Sequence, residues 1–232
     1  MKTIALIVAG GESKRFGGKI PKQFRHVFGK PLLSWTIQKF EQAATIDQIV
    51  VVVAEDYLLY TSEKVVDPYN FRKVFKIVKG GATRRESVSN GLEALPLSTN
   101  YVAIHDGARP LILPSDIDRV VTTAIAEKAA IVAVKTVDTI KRVKDDFIIA
   151  TLERSNLYQA QTPQVFQYDL IIAAHRDFEK SKNNKSITDD ASLIEQKGFK
   201  IKVVESEVPN FKITSKSDLK LAEALLKEEY DN

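Results

Sequence analysis

The stretch TIALIVAGGESKRFGGKIPKQF, residues 3–24, places seven apolar or β-branched residues directly before a loop crowded with glycine and basic side chains. Apolar residues at consecutive positions, without alternation, describe a strand covered on both faces, as in a parallel sheet flanked by helices. Glycines at the carboxyl end of such a strand let backbone approach a ligand, and open α/β sheets bind ligands there. The cations predict that the ligand is an anion. The two commonest phosphate loops do not fit. Gly10 and Gly11 are adjacent, which breaks G-x-G-x-x-G, and no frame supplies G-x-x-x-x-G-K-[ST]. The plain alternative is a strand-to-helix turn with charges in solvent.

Further along the chain, QIVVVVA (48–54), FKIVK (75–79), YVAIHD (101–106) and AAIVAV (129–134) repeat the buried-strand pattern. Between them KPLLSWTIQKFEQA (30–43) carries Leu33, Ile37 and Phe40 at helical spacing, with Pro31 near its start. TRRESVSNGLEAL (83–95) opens with Thr83 and Glu86, a capping-box pattern, and SKSDLKLAEALLKEE (215–229) reads as an amphipathic helix. Alternating strands and helices predict an α/β fold with a doubly wound, mostly parallel, Rossmann-like sheet. Residues 136–160 break the rhythm. They alternate β-branched and polar residues around KDD, which predicts paired strands leaving the main sheet and turning near Lys144–Asp146. One domain over 1–232 with this arm at 136–160 is the expected organisation.

The composition removes several functions. The chain has 232 residues, 44% hydrophobic, enough for one large core. Lys and Arg total 34 against 30 acids, spread along the chain rather than gathered into a patch, which argues against a nucleic-acid partner. KSKNNK (180–185) reads as a solvated loop. No cysteine means no disulfide, thiolate metal site or cysteine nucleophile. No apolar run is long enough to span a membrane, and MKTIALIVAGG is too short in its apolar part for a signal peptide, so the expected compartment is the cytoplasm.

Three more segments follow strands. IHDGARP (104–110) puts Asp106 at a strand end, where a hard carboxylate oxygen suits Mg²⁺ bridging to phosphate. The alternative is an aspartate that caps the turn. GGATRRESV (80–88) is another Gly-rich turn into a helix, and NFKIT (210–214) places Lys212 in a β-like run where it needs an anion or exposure. Together these sites predict a nucleoside triphosphate and a second anionic substrate.

The segments AGGESKRFGGKIPKQF, GGATRRESVSNGLEAL, HDGARP, VDTIKRV, ERSNLYQAQTPQVF, TDDASLIE and NFKIT, in this order from residue 3 to about 225, resemble the family of 2-C-methyl-D-erythritol 4-phosphate cytidylyltransferases and their relatives that make CDP-ribitol. The resemblance implies transfer of CMP from CTP to a sugar-alcohol phosphate, release of pyrophosphate, and a need for Mg²⁺. It implies that Arg15 and Lys22 grip the triphosphate, that Lys212 meets the α-phosphate, and that Asp106 holds the metal. Ala9, Gly10, Gly11, Gly81 and Ser87 would form the cytidine pocket, and Asp106 with Arg109 would meet substrate. The arm would embrace a second subunit, with Thr139 and Arg154 contacting the sugar phosphate in the partner's site and Thr162 lining the same pocket. A homodimer follows.

This implied chemistry is physically coherent. A phosphate monoester has its second pKa near ~6, so the nucleophile is already ionised and needs no general base. What remains is to bring two polyanions together, a task for cations. The histidines then need no catalytic role: His105 orients its loop or is a satisfied structural histidine, and His26 and His175 are ordinary. Asp189 and Asp190 read as helix-N-terminal acids after Thr188 with a supporting role. Two positions depart from the family pattern: Ser13 stands where a second glycine is common, and Gly107 where alanine is usual, which is expected to loosen that loop. The rival readings are a D-ribitol-5-phosphate cytidylyltransferase with the same chemistry, or a non-catalytic nucleotide-binding protein of the same fold.

Overall fold

The computed structural model describes residues 1–11, 16–17, 20–181, 187–206 and 210–230. Its main sheet contains β1 (Thr3–Ala9), β2 (Gln48–Val53), β3 (Val74–Lys79), β4 (Tyr101–Asp106), β5 (Ala129–Lys135), β8 (Tyr158–Gln167) and β9 (Lys202–Glu205). Between β5 and β8 lies the separate hairpin of β6 (Lys141–Lys144) and β7 (Phe147–Thr151). The helices are α1 (Leu32–Gln42), α2 (Arg84–Glu93), α3 (Pro114–Glu127), α4 (Tyr168–Lys180), α5 (Ala191–Gln196) and α6 (Lys216–Tyr230). The sheet runs β9-β5-β8-β4-β1-β2-β3, all parallel except β8, which is antiparallel to both β4 and β5.

β1 is buried along its whole length because it divides two cores. Ala5, Ile7 and Ala9 join Leu33, Ile37 and Phe40 of α1 and the inner residues of α3. Ile4, Leu6 and Val8 face the other way, onto Val88 and Leu92 of α2 and onto Ile171 of α4. The two-residue period of a strand thus feeds both layers. Each fully buried Ile or Leu here contributes about 1.5–3 kcal/mol. Gly91 sits inside α2, where glycine ordinarily weakens a helix. Here it is required: a Cβ would meet Leu6 Cδ1 at 2.5 Å and Val52 Cγ2 at 2.9 Å. A third cluster packs Ala222 and Leu226 of α6 against Trp35, Leu111 and Ile213. It brings the NFKIT segment to the carboxyl ends of β1 and β4.

Local signals account for the helix starts. Thr83 accepts the amide of Glu86 (3.1 Å), while Glu86 accepts that of Ala82 (2.9 Å). Asp218 accepts the amides of Thr214 and Ser215, at 2.7 and 2.8 Å, ahead of α6. The arm turns on Asp145 and Asp146, both at positive φ (49° and 63°), the two-residue turn that suits a hairpin's twist. Its Val143, Phe147, Ile148 and Ile149 are exposed.

The excursion ends earlier than its sequence suggests. Tyr158–Ala160 already pair with Lys135–Ala133 of β5, and β8 continues to Gln167. Pro163 obscures this strand, since proline cannot donate to a ladder. The register shifts between Ala160 and Gln164, and the Thr162–Pro163 peptide is cis, so Pro163 sits in the irregular part.

Candidate active site

β1 and β4 are neighbours, with Val8 opposite Asp106, so the glycine loop and the HDGARP turn emerge side by side. The amino end of α2 lies across from them. Together they enclose a cavity of about 490 Å³, within the ~300–1,000 Å³ typical of small-molecule sites. Ala9, Gly10, Gly11, Gly81 and Ser87 all line it. So do Lys22, Asp106 and Lys212, which come from three separate segments.

The glycine wall is close-fitted. A Cβ on Gly10 would stand 3.1 Å from Ser87 Oγ, and one on Gly81 would stand 2.3 Å from Glu86 Cβ. Ser87 Oγ accepts the Gly81 amide (3.1 Å) and donates to the Thr83 carbonyl (2.9 Å), so the hydroxyl shapes the turn. Gln23, which no sequence motif singles out, donates from Nε2 to the carbonyls of Ala9 (2.7 Å) and Gly11 (3.1 Å). Lys22 donates from Nζ to the Ile213 carbonyl at 2.6 Å.

Asp106 is the electrostatic centre. Arg84 Nε lies 2.9 Å from its Oδ1, while Lys212 Nζ at 3.0 Å and Arg109 Nε at 3.4 Å meet its Oδ2. Burial pushes the Asp106 carboxyl up, but Arg84, Lys212 and Arg109 override burial and hold it well below the usual carboxylate range. An ionised carboxylate at the cavity wall is the kind of hard oxygen donor that would hold Mg²⁺ beside substrate phosphates. Among the described residues no group of three His, Asp or Glu gathers to hold a metal. Of the described residues, Asp106 is the carboxylate at this cavity that would hold Mg²⁺, with substrate oxygens beside it.

Arg109 and Thr162 do not line the cavity. Arg109 is 13% exposed and donates from Nη1 to the Asn210 carbonyl (2.8 Å), tying the loop after β4 to the segment that carries Lys212. Thr162 is 4% exposed, and its hydroxyl oxygen accepts the Asp106 amide (3.1 Å). It buttresses Asp106 from behind and does not itself line the cavity. Thr139 and Arg154 lie on the exposed arm, outside the cavity, and Arg154 donates to the Val137 carbonyl (2.7 Å). Arg15 and Ser13 lie outside the described residues, as does most of KSKNNK.

His105 is fully buried between Phe40 and the Asp106 turn. Its Nε2 faces the Arg109 carbonyl at 3.0 Å, which only accepts, so the ring's proton sits there. Nδ1 then accepts from the Thr162 hydroxyl at 3.0 Å. Burial lowers the His105 pKa to about 3. The ring is neutral and satisfied, and it orients both the Arg109 loop and Thr162.

Other expectations change. Gly107 does not loosen its loop: its amide donates to Val8 (2.9 Å), its carbonyl accepts Thr36 Oγ1 (3.0 Å), and a Cβ would press Ala9 Cβ and Leu33 Cδ1 at 2.9 Å. Asp189 does support α5, accepting the Ser192 amide at 3.1 Å. Asp190 makes no capping bond; it is buried against Arg84 (2.8 Å) and His175 (3.2 Å). Burial raises its pKa, and Arg84 and His175 turn the shift downward. His175 is thus the partner of a buried charge. Arg84, the hub of this cluster, escapes the motif-based reading. Its signal in the sequence is its position: two arginines in the first turn of a helix oppose the helix dipole and require nearby carboxylates.

Residues 3–228 match the family described as 2-C-methyl-D-erythritol 4-phosphate cytidylyltransferase. The chain is 44% identical to a protein of that name from Syntrophotalea carbinolica, the alignment covering 97% of each. It is 41% identical to one from Pelotomaculum thermopropionicum, over 97% of this chain and 94% of the relative. Its fold matches the crystal structure of 4-diphosphocytidyl-2C-methyl-D-erythritol synthase from Anaerococcus prevotii, with TM-score 0.85 and 30% identity over 97% and 96% of the two chains.

Proposed function

Because the chain belongs to the 2-C-methyl-D-erythritol 4-phosphate cytidylyltransferase family, we propose that the cavity at the ends of β1 and β4 is where it transfers CMP from CTP to 2-C-methyl-D-erythritol 4-phosphate, releasing pyrophosphate. The product is 4-diphosphocytidyl-2-C-methyl-D-erythritol, an isoprenoid precursor of the non-mevalonate route. The observation that carries this assignment is the set Lys22, Lys212 and Asp106 around a glycine-walled cavity.

The glycine wall admits the flat cytosine and ribose with backbone close by, and Gln23 keeps that wall in shape. Lys22 and Lys212 meet the triphosphate from one side, and Arg15 belongs to the same group by its place in the glycine loop. The acceptor's phosphate oxygen attacks the α-phosphorus, that bond forms as the bond to pyrophosphate breaks, and no proton need move first. Charge on the crowded phosphorus is what the fixed lysines stabilise. Asp106 would hold Mg²⁺ beside the phosphates, where the ion would add charge neutralisation for the leaving pyrophosphate.

Arg109 and Thr162 act on the substrates through Asp106 and Asn210. The arm supplies Thr139 and Arg154 to the cavity of a second copy, so the working unit is a homodimer. The exposed apolar residues of β6 and β7 support this reading. Among the described residues no helix is long and apolar enough to cross a membrane. An enzyme that consumes CTP is placed in the cytoplasm, where CTP is available.

The deciding experiment follows pyrophosphate release from CTP and Mg²⁺ with 2-C-methyl-D-erythritol 4-phosphate or D-ribitol 5-phosphate as acceptor. Strong preference for the first is expected. Preference for the second would move the assignment to CDP-ribitol synthesis, and release with neither would overturn it.

A further inference from the structure

Asp190 is a buried charge with no place in the cavity. It is 2% exposed, comes from the loop before α5, and does not line the site. A buried carboxylate is costly unless paired, so its partners indicate what it does. They are His175 Nε2 at 3.2 Å and Arg84 Nη1 at 2.8 Å. Arg84 gives its other edge, Nε, to Asp106 Oδ1 at 2.9 Å. A guanidinium offered one carboxylate tends to grip it with two parallel bonds. Here it is held between two carboxylates and reaches each with one nitrogen.

We propose that Asp190 is a positioning residue for the transfer reaction: by holding Nη1 of Arg84 it denies Arg84 a two-pronged grip on Asp106. Asp106 therefore keeps its orientation and leaves Oδ2 to Lys212, which lines the cavity, and to Arg109. His175 stands behind Asp190 and keeps that carboxylate turned toward Arg84. Without Asp190, Arg84 rotates onto Asp106, and both the carboxylate and Lys212 shift away from the reacting phosphorus. The inference rests on the cavity being the transfer site.

The test compares the unaltered protein with Asp190→Asn, Arg84→Gln and the double variant. For each, kcat is measured by pyrophosphate release and the CTP dissociation constant by calorimetry. Asp190→Asn is expected to lower kcat about 10- to 100-fold, with CTP affinity little changed. Added to Arg84→Gln, it is expected to cost almost nothing more, because the group it acts through is gone. Independent, multiplying losses in the double variant would mean that Asp190 acts by a route other than Arg84 and would overturn the inference, as would full kcat in Asp190→Asn. Should Asp190→Asn not fold, Asp190→Glu, which keeps the charge but displaces it from Arg84, replaces it in both the single and the double variant, with the same expectations. Unaltered protein that binds CTP but releases pyrophosphate with neither acceptor would remove the functional assignment, and this inference with it.

Discussion

Lys22 and Ile213 are joined by a 2.6 Å hydrogen bond from Nζ to the backbone carbonyl, across 191 residues of sequence. That bond fastens the glycine loop to the segment presenting Lys212, and Ile213 N donates in turn to Ala108 at 2.9 Å beside Asp106. Two cationic segments and the anionic turn are thus one braced unit, and the lysines are positioned before substrate arrives. Preorganised charge of this kind acts without reorganisation during the reaction.

Lys212→Ala is expected to lower kcat by about 100- to 1,000-fold, the scale of losing one fixed donor at a developing charge. The fold should persist, because the side chain is 35% exposed and Asp106 keeps both arginines. Steady-state kinetics alongside circular dichroism check this. Near-normal kcat in folded variant would remove Lys212 from the site.

Arg154→Ala should raise the KM for the sugar phosphate far more than it weakens CTP binding, because the residue lies on the arm and away from the cavity. Mixing it with inactive Lys212→Ala should restore part of the activity. In a mixed dimer one cavity keeps its lysine and receives an intact arm. No restoration after subunit exchange would argue against composite sites.

His105 predicts an acid-sensitive core. Its folded-state pKa, about 3, lies below its ordinary 6.5, so only the unfolded chain takes up a proton between these values. Stability is therefore full above about pH 6.5 and falls as pH drops, by up to about 1.4 kcal/mol per pH unit. Asp106 and Asp190, both held below their ordinary range, extend the loss below about pH 4. Urea unfolding at pH 7, 6 and 5 should show the decline, with a shallower slope in His105→Gln. Equal slopes would mean the ring is not held neutral.

Gly91→Ala should destabilise the protein by about 1–3 kcal/mol, although alanine is the better helix former by ~1 kcal/mol. The added methyl meets Leu6 and Val52 below contact distance. A thermal midpoint at or above that of the parent would show that α2 can lift off the sheet at little cost.

The parts of the fold that can be read from sequence are those governed by one dominant signal. TIALIVA and YVAIHD are buried on both faces, so their runs coincide with β1 and β4 residue for residue. Thr83 announces α2 through its cap. β8 carries no such signal: Gln161, Pro163 and Gln164 interrupt its apolar residues, and its burial between β4 and β5 is decided by topology. Among the residues lining the cavity, the glycines, Lys22 and Asp106 are legible because their segments follow strands, and Lys212 only as a lone cation in NFKIT, which reads as β-like but forms no strand. Arg84 and Asp190 are not, because their pairing joins residues 106 apart and each alone resembles a surface charge. Thr162 and Arg109 stand out in the sequence beside the site motifs; in the structure neither lines the cavity, and they bond to Asp106 and Asn210 instead.

The reversed direction of β8 also orders the protein's birth on the ribosome. β4, β1, β2 and β3 are all made within the first 106 residues and pair with one another, so the glycine wall and Asp106 can form early. β5 has no edge to join until β8 emerges and wedges between it and β4, and β9 docks only on β5. Lys212 and its braces come last. A chain halted before residue 212 would have the glycine loop and Asp106 but lack both Lys212 and the Ile213 carbonyl that holds Lys22.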